Sequence, residues 1–112
     1  MYRLLTKGSV EAGDAALPPA FSPSDTWVPQ LKTPMRSAYA EVHGAEPEFT
    51  DYTRNDKSGE FSGTLDYVFL SPGVQAQCMD ALPKLADAVP SPSELVPSDH
   101  WPLAGTLVVE CK

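Results

Sequence analysis

Two places in this sequence set side chains capable of acid–base or phosphate chemistry beside apolar runs. The first is Ser98-Asp99-His100-Trp101-Pro102, which holds one of the chain's two histidines just before the last apolar run. Near neutral pH, histidine is the side chain most often used to move a proton or meet a phosphate. It needs a carboxylate to fix its tautomer and ring orientation, as in catalytic triads. The second place is Asp66, within Thr64-Leu65-Asp66-Tyr67-Val68-Phe69-Leu70-Ser71. A carboxylate buried in such a run must be paired, hydrogen-bonded or metal-associated, because isolated buried charge is costly. At an exposed strand entry it would need no partner. If buried, Asp66 is the natural group to orient His100. Extended residues 99 and 100 would project to opposite faces, one toward a metal and the other toward a phosphate. Read by itself, Ser98-Asp99-His100 is better explained as capping residues beside a surface histidine.

Other polar candidates read as bland. His43 lies beside Gly44 in a polar stretch and is expected at the surface. Trp27 and Trp101 read as packing residues, and Glu41, Glu46, Glu48 and Glu60 as solvated loop acids without ligand spacing. Cys78 and Cys111 make neither a metal motif nor a disulfide framework, so a reduced, intracellular, cytoplasmic chain is expected. No run approaches the roughly 18 apolar residues of a membrane span, and the N-terminus lacks a secretory signal.

The elements that must position these residues are short. Tyr2 to Lys7 reads as the last turns of a helix, with Gly8 as its cap. Residues 9–34 carry five prolines without periodicity and read as a long loop. Ser37 to Val42 predicts a helical turn ending near Gly44. Residues 45–63 look polar and turn-rich, with the reversal at Asn55-Asp56-Lys57-Ser58-Gly59. Residues 64–71 predict a strand buried on both faces. Val74 to Met79 reads as a weaker strand, residues 83–97 as proline-rich loop, and Gly105 to Cys111 as a second good strand.

The chain has 112 residues, enough for one domain, with 42% hydrophobic content and twelve prolines. Average proline usage is about 5%, so long irregular connections are expected. Fifteen acids against eight bases give a net charge of −7, the wrong sign for binding nucleic acid by neutralising phosphates. A bound divalent cation could supply the positive charge locally. Basic surface elsewhere could do the same, and an acidic protein without nucleic-acid business fits the charge as well.

Taken together, Leu65-Asp66-Tyr67-Val68-Phe69-Leu70-Ser71 and Pro97-Ser98-Asp99-His100-Trp101-Pro102-Leu103 resemble the last two motifs of the endonuclease/exonuclease/phosphatase superfamily. The chain looks closest to its carbon-catabolite-repressor-4 and nocturnin-type deadenylases. That likeness rests on Ser37-Ala38-Tyr39, Pro47-Glu48-Phe49-Thr50-Asp51-Tyr52-Thr53, Phe61-Ser62-Gly63-Thr64, and the Tyr2-to-Gly8 segment. It spans nearly residues 1–112, with 10–35 poorly matched. The resemblance implies an α/β, four-layer α+β sandwich, of which this chain supplies the C-terminal strands and loops as part of one domain. It implies Mg²⁺ as cofactor and hydrolysis of a phosphodiester, with the 3′ end of RNA, poly(A), as substrate. His100 would contact the scissile phosphate, Asp66 would orient it, Asp99 would lie at the metal, and Phe61 would stack on the substrate base.

The family's metal-binding glutamate, its further histidine and its Gly-Asp-Phe-Asn motif do not occur here. The chain is therefore expected to carry half an active site, to be inactive alone, and to leave an edge and an apolar face uncovered. Phosphatases and endonucleases of the superfamily share the terminal motifs. A non-catalytic remnant or interaction protein keeping the last strands is the reading from a different class.

Overall fold

The computed structural model describes residues 1–110 apart from 16, 18, 20–23, 25, 27, 56 and 95. Trp27 and Cys111 thus lie outside the described residues. Two compact units divide the chain, Met1–Arg36 and Ser37–Lys112.

In the smaller unit, helix α1 (Tyr2–Lys7) is closed by Gly8 at φ 80°, whose N–H donates to the Leu4 carbonyl. Glycine adopts that left-handed conformation without a Cβ penalty. The described residues of 9–34 form neither helix nor strand. The ends of this loop nevertheless meet: Ser9 pairs with Gln30, and the Leu31 N–H donates to the Gly8 carbonyl at 2.7 Å.

The larger unit begins within a two-residue strand, β1 (Arg36–Ser37), and passes into helix α2 (Ala38–His43). The Ser37 side chain accepts from the Ala40 N–H, and Gly44 ends the helix at φ 82°. These bounds match the turn expected from the sequence. The next stretch does not. Residues 45–63 contain a hairpin of β2 (Asp51–Asn55) and β3 (Gly59–Gly63), paired antiparallel from Asp51↔Gly63 to Asn55↔Gly59. The reversal at 55–59 is as expected, and Asn55 Oδ1 accepts the Lys57 N–H. Its arms are not legible in the sequence, because β3 is largely solvent-facing and carries no apolar run.

The expected strand over 64–71 shrinks to β4 (Phe69–Leu70), beside β1. Thr50 is the reason. Its buried Oγ1 accepts the N–H groups of both Leu65 and Asp66, at 2.9 and 3.0 Å. Those donors are spent on a side chain, so no ladder forms there. Leu65 is 54% exposed, which overturns burial of both faces.

Strand β5 (Val74–Met79) pairs antiparallel with β6 (Gly105–Val109), with a shift of register between Ala76 and Cys78. A Cβ at Gly105 would collide with the Cys78 carbonyl, so this close approach requires glycine. Every residue of β6 is exposed, Leu107, Val108 and Val109 among them. An apolar strand is thus left open to solvent.

The result is a mixed α+β arrangement of short helices and two-stranded sheets. Ala38, Tyr39, Leu70 and Met79 form the core, flanked by Val42, Val68, Val74, Ala76, Leu82 and Leu103. The described residues of 83–97 are irregular apart from a 3₁₀ turn at Leu85–Asp87. Among the described residues, no helix is long and apolar enough to cross a membrane.

Candidate functional site

The site forms where residues 98–101 lie against the free edge of β2. The Tyr52 N–H donates to the Asp99 carbonyl and the Trp101 N–H donates to the Thr50 carbonyl, bracketing the pair Asp51↔His100. In that antiparallel pattern the bracketed residues are a non-hydrogen-bonded pair, whose side chains stand closest together. Register and backbone bonds alone therefore bring the Asp51 carboxylate and the His100 imidazole onto one face. Thr53 pairs with Ser91 further along the same edge.

Packing beneath this edge is aromatic. Phe49 is fully buried and meets Tyr52 and Trp101 edge to face, at 5.9 and 6.1 Å between centroids. Trp101 is thus a packing residue, as its type suggested. It anchors the backbone on which His100 sits.

His100 lies between two carboxylates. Its Nδ1 is 2.7 Å from Asp66 Oδ2, and its Nε2 is 3.3 Å from Asp51 Oδ2. A carboxylate at each ring nitrogen favours the imidazolium, in which both nitrogens donate. Accordingly the His100 pKa is raised, first by the hydrogen bond to Asp66 and its charge, then by the charges of Asp51 and Asp99. Asp66 reaches His100 from the irregular segment pinned by Thr50. The sequence placed it in a strand neighbouring His100, but that neighbour is β2.

This contact yields a measurable expectation. In an NMR titration, the His100 ring should titrate above the ordinary histidine value of about 6.5, and Asp66→Asn should move it down. Because folding raises this pKa, the pair adds stability that is full below the unfolded value. That stability is lost as pH rises through the folded value. A His100 titration unchanged by Asp66→Asn would contradict the pairing.

Asp99 departs from expectation. Rather than facing away from His100, it offers a carboxylate oxygen to a cluster with Asp51 and His100 whose ligand atoms all lie within 4.8 Å of one another. The chain bends at Asp99, with the Ser98 hydroxyl accepting the His100 N–H at 3.1 Å, so alternation does not apply. Asp51 is the residue that sequence reasoning missed. Its side chain is 6% exposed, and its Oδ1 has no hydrogen-bond partner among the described residues. The available signal was a lone acid in Phe49-Thr50-Asp51-Tyr52-Thr53, a run of β-formers, the same anomaly that marked Asp66.

Phe61 belongs to the same face. The register sets Gly63 opposite Asp51 and Phe61 opposite Thr53, and residues two apart on a strand share a side. The Phe61 ring lies over Gly63: its Cζ is 3.0 Å from where a Cβ there would stand. The ring is 48% exposed. Gly63 thus leaves room for a partly exposed aromatic surface in the row that contains Asp51 and His100.

No protein-family profile, curated protein or solved structure matches the chain. The site must therefore be judged by its own chemistry. One face combines a doubly held imidazole, two carboxylates suited to a divalent cation, and an exposed ring.

The remaining polar residues play other parts. His43 is exposed, with Nε2 2.9 Å from the Met79 carbonyl oxygen. Glu60 accepts from Arg54 Nε at 2.8 Å, and Glu48 accepts the Leu85 N–H, so neither is merely solvated.

Proposed function

We propose that this chain supplies the histidine end of the active site of a Mg²⁺-dependent phosphodiester hydrolase, a 3′–5′ exoribonuclease of deadenylase type. The observation that carries this reading is His100 held between Asp66 and Asp51, with Asp99 beside it. His100 Nε2 donates to a non-bridging oxygen of the scissile phosphate, and the imidazolium charge offsets the negative charge developing there. Asp66 keeps the ring oriented from behind. Asp51 and Asp99 would hold Mg²⁺, a fit supported by their hard oxygen donors and the unpartnered, buried Oδ1 of Asp51. Bound there, Mg²⁺ supplies Lewis-acid polarisation of the phosphoryl oxygens and activation of water. Phe61 offers its ring to a substrate base, a contact that tolerates any base identity.

The upstream motifs of the resembling family are missing from these residues. We accordingly assign the remaining ligands to chain outside them, in the four-layer sandwich of that family, and expect the 112-residue chain to be inactive alone. The open apolar strand β6 favours one other reading, a non-catalytic interaction protein that uses this strand as its contact.

The test is shortening of 5′-labelled oligoadenylate in Mg²⁺ by a form of the protein that carries these residues with the missing motifs. We expect stepwise loss from the 3′ end. Phe61→Ala should raise KM for RNA at least ~5-fold, the lower bound for one lost stacking contact of about 1 kcal/mol. It should leave hydrolysis of bis(p-nitrophenyl) phosphate, which has no base, unaffected. Absence of any phosphodiester hydrolysis would leave the interaction reading in possession.

A further inference from the structure

The cluster at Asp51, Asp99 and His100 is not an all-oxygen site. Two carboxylates and one imidazole each offer a donor, and the three donor atoms lie within 4.8 Å of one another. Donors bound at about 2.0–2.2 Å to a single tetrahedral ion stand roughly 3.3–3.6 Å apart, so the widest pair must close by up to about 1.4 Å. The nitrogen concerned is Nε2, because Nδ1 is held by Asp66 at 2.7 Å while Nε2 already faces Asp51. A metal-bound histidine characteristically donates its other ring N–H to a carboxylate, which orients the ring and raises its basicity as a ligand. Asp66 stands in that position. The buried Asp51 side chain, with an Oδ1 that no described residue satisfies, is a second and separate sign that a cation belongs here.

We propose that Asp51, Asp99 and His100 Nε2, backed by Asp66, form a binding site for a borderline transition-metal ion of the Zn²⁺ class, with preference over Mg²⁺. Imidazole suits such ions, whereas Mg²⁺ takes oxygen donors and retains its waters. Three protein ligands leave a coordination position open to water or an anion. On binding, the ion takes the place of the Nε2 proton, which passes to solvent. Where the hydrolase reading applies, Nε2 either donates to a phosphate or ligates the ion, so the two uses exclude one another. Binding itself does not depend on that reading.

The experiment is a calorimetric titration of Zn²⁺, and separately of Mg²⁺, into the 112-residue chain with Cys78→Ser and Cys111→Ser to remove competing thiols. No nucleotide is present, so the result stands whatever the outcome of the hydrolysis assay. One Zn²⁺ per chain is expected, bound at least ~10-fold more tightly than Mg²⁺. His100→Gln should weaken Zn²⁺ at least ~10-fold and Mg²⁺ by less than ~3-fold, collapsing the selectivity that the imidazole confers. Asp66→Asn should cost Zn²⁺ affinity about 10-fold, as loss of a carboxylate behind a ligating histidine does. Asp51 is buried, so Asp51→Asn is read beside the half-buried Asp99→Asn, which tests the carboxylates without touching the core. His43→Gln should change nothing. Zn²⁺ that fails to bind, or binds equally to His100→Gln and Asp99→Asn, or depends on His43 instead, overturns the proposal.

Discussion

Under the proposed hydrolase function, replacing His100 with glutamine is expected to lower kcat for phosphodiester hydrolysis at least ~100-fold, the scale of loss for a positioned acid–base group. Glutamine keeps much of the volume and one donor but cannot carry the charge. His100 is half-exposed and contributes nothing to the core, so the variant should retain its fold. Asp66 works through His100, across the 2.7 Å contact at Nδ1. Asp66→Asn should therefore cost less, and the double variant should be no slower than His100→Gln alone, since residues acting as a unit are not additive. If the two losses multiplied, Asp66 would have a role independent of the histidine. An active His100→Gln enzyme would remove the histidine from the mechanism altogether.

What could be read from residue types alone was which polar groups would meet; what could not was the path of the backbone. His100 and Asp66 stand 34 residues apart, yet each was conspicuous as a polar group against an apolar or proline-rich background, and they meet. The capped helices were legible because Gly8, Ser37 and Gly44 act locally. Asp51 stands out only as a lone acid in a run of β-formers, and its importance depends on a register that only long-range pairing decides. Asp99 was misdirected by an assumption of extended geometry that the bend after Ser98 breaks. Residues 64–68 have the composition of a strand and are not one, because a single threonine hydroxyl captures two of their N–H groups. Propensity describes what a segment prefers, whereas the competing acceptor came from another element.

That hydroxyl is the least conspicuous determinant of the site, and Thr50→Val is expected to disable it. Valine matches threonine in shape, so the core beside Phe49 stays filled. It offers no acceptor, which leaves the Leu65 and Asp66 N–H groups without the bonds that hold their segment in place. Leaving a buried donor unsatisfied costs about 1–3 kcal/mol. These two are only part-buried and recover some hydration, so a loss of about 2 kcal/mol in urea unfolding is the expected sum. The larger consequence is positional. Freed from Thr50, the Asp66 carboxylate is no longer delivered to His100 Nδ1, and the histidine should titrate closer to its ordinary value, as in Asp66→Asn. Thr50→Ser, which restores the acceptor, should recover the His100 titration even though it loses a methyl group. A Thr50→Val protein whose His100 titration matched the parent would show that Asp66 is held in place by something other than this hydroxyl.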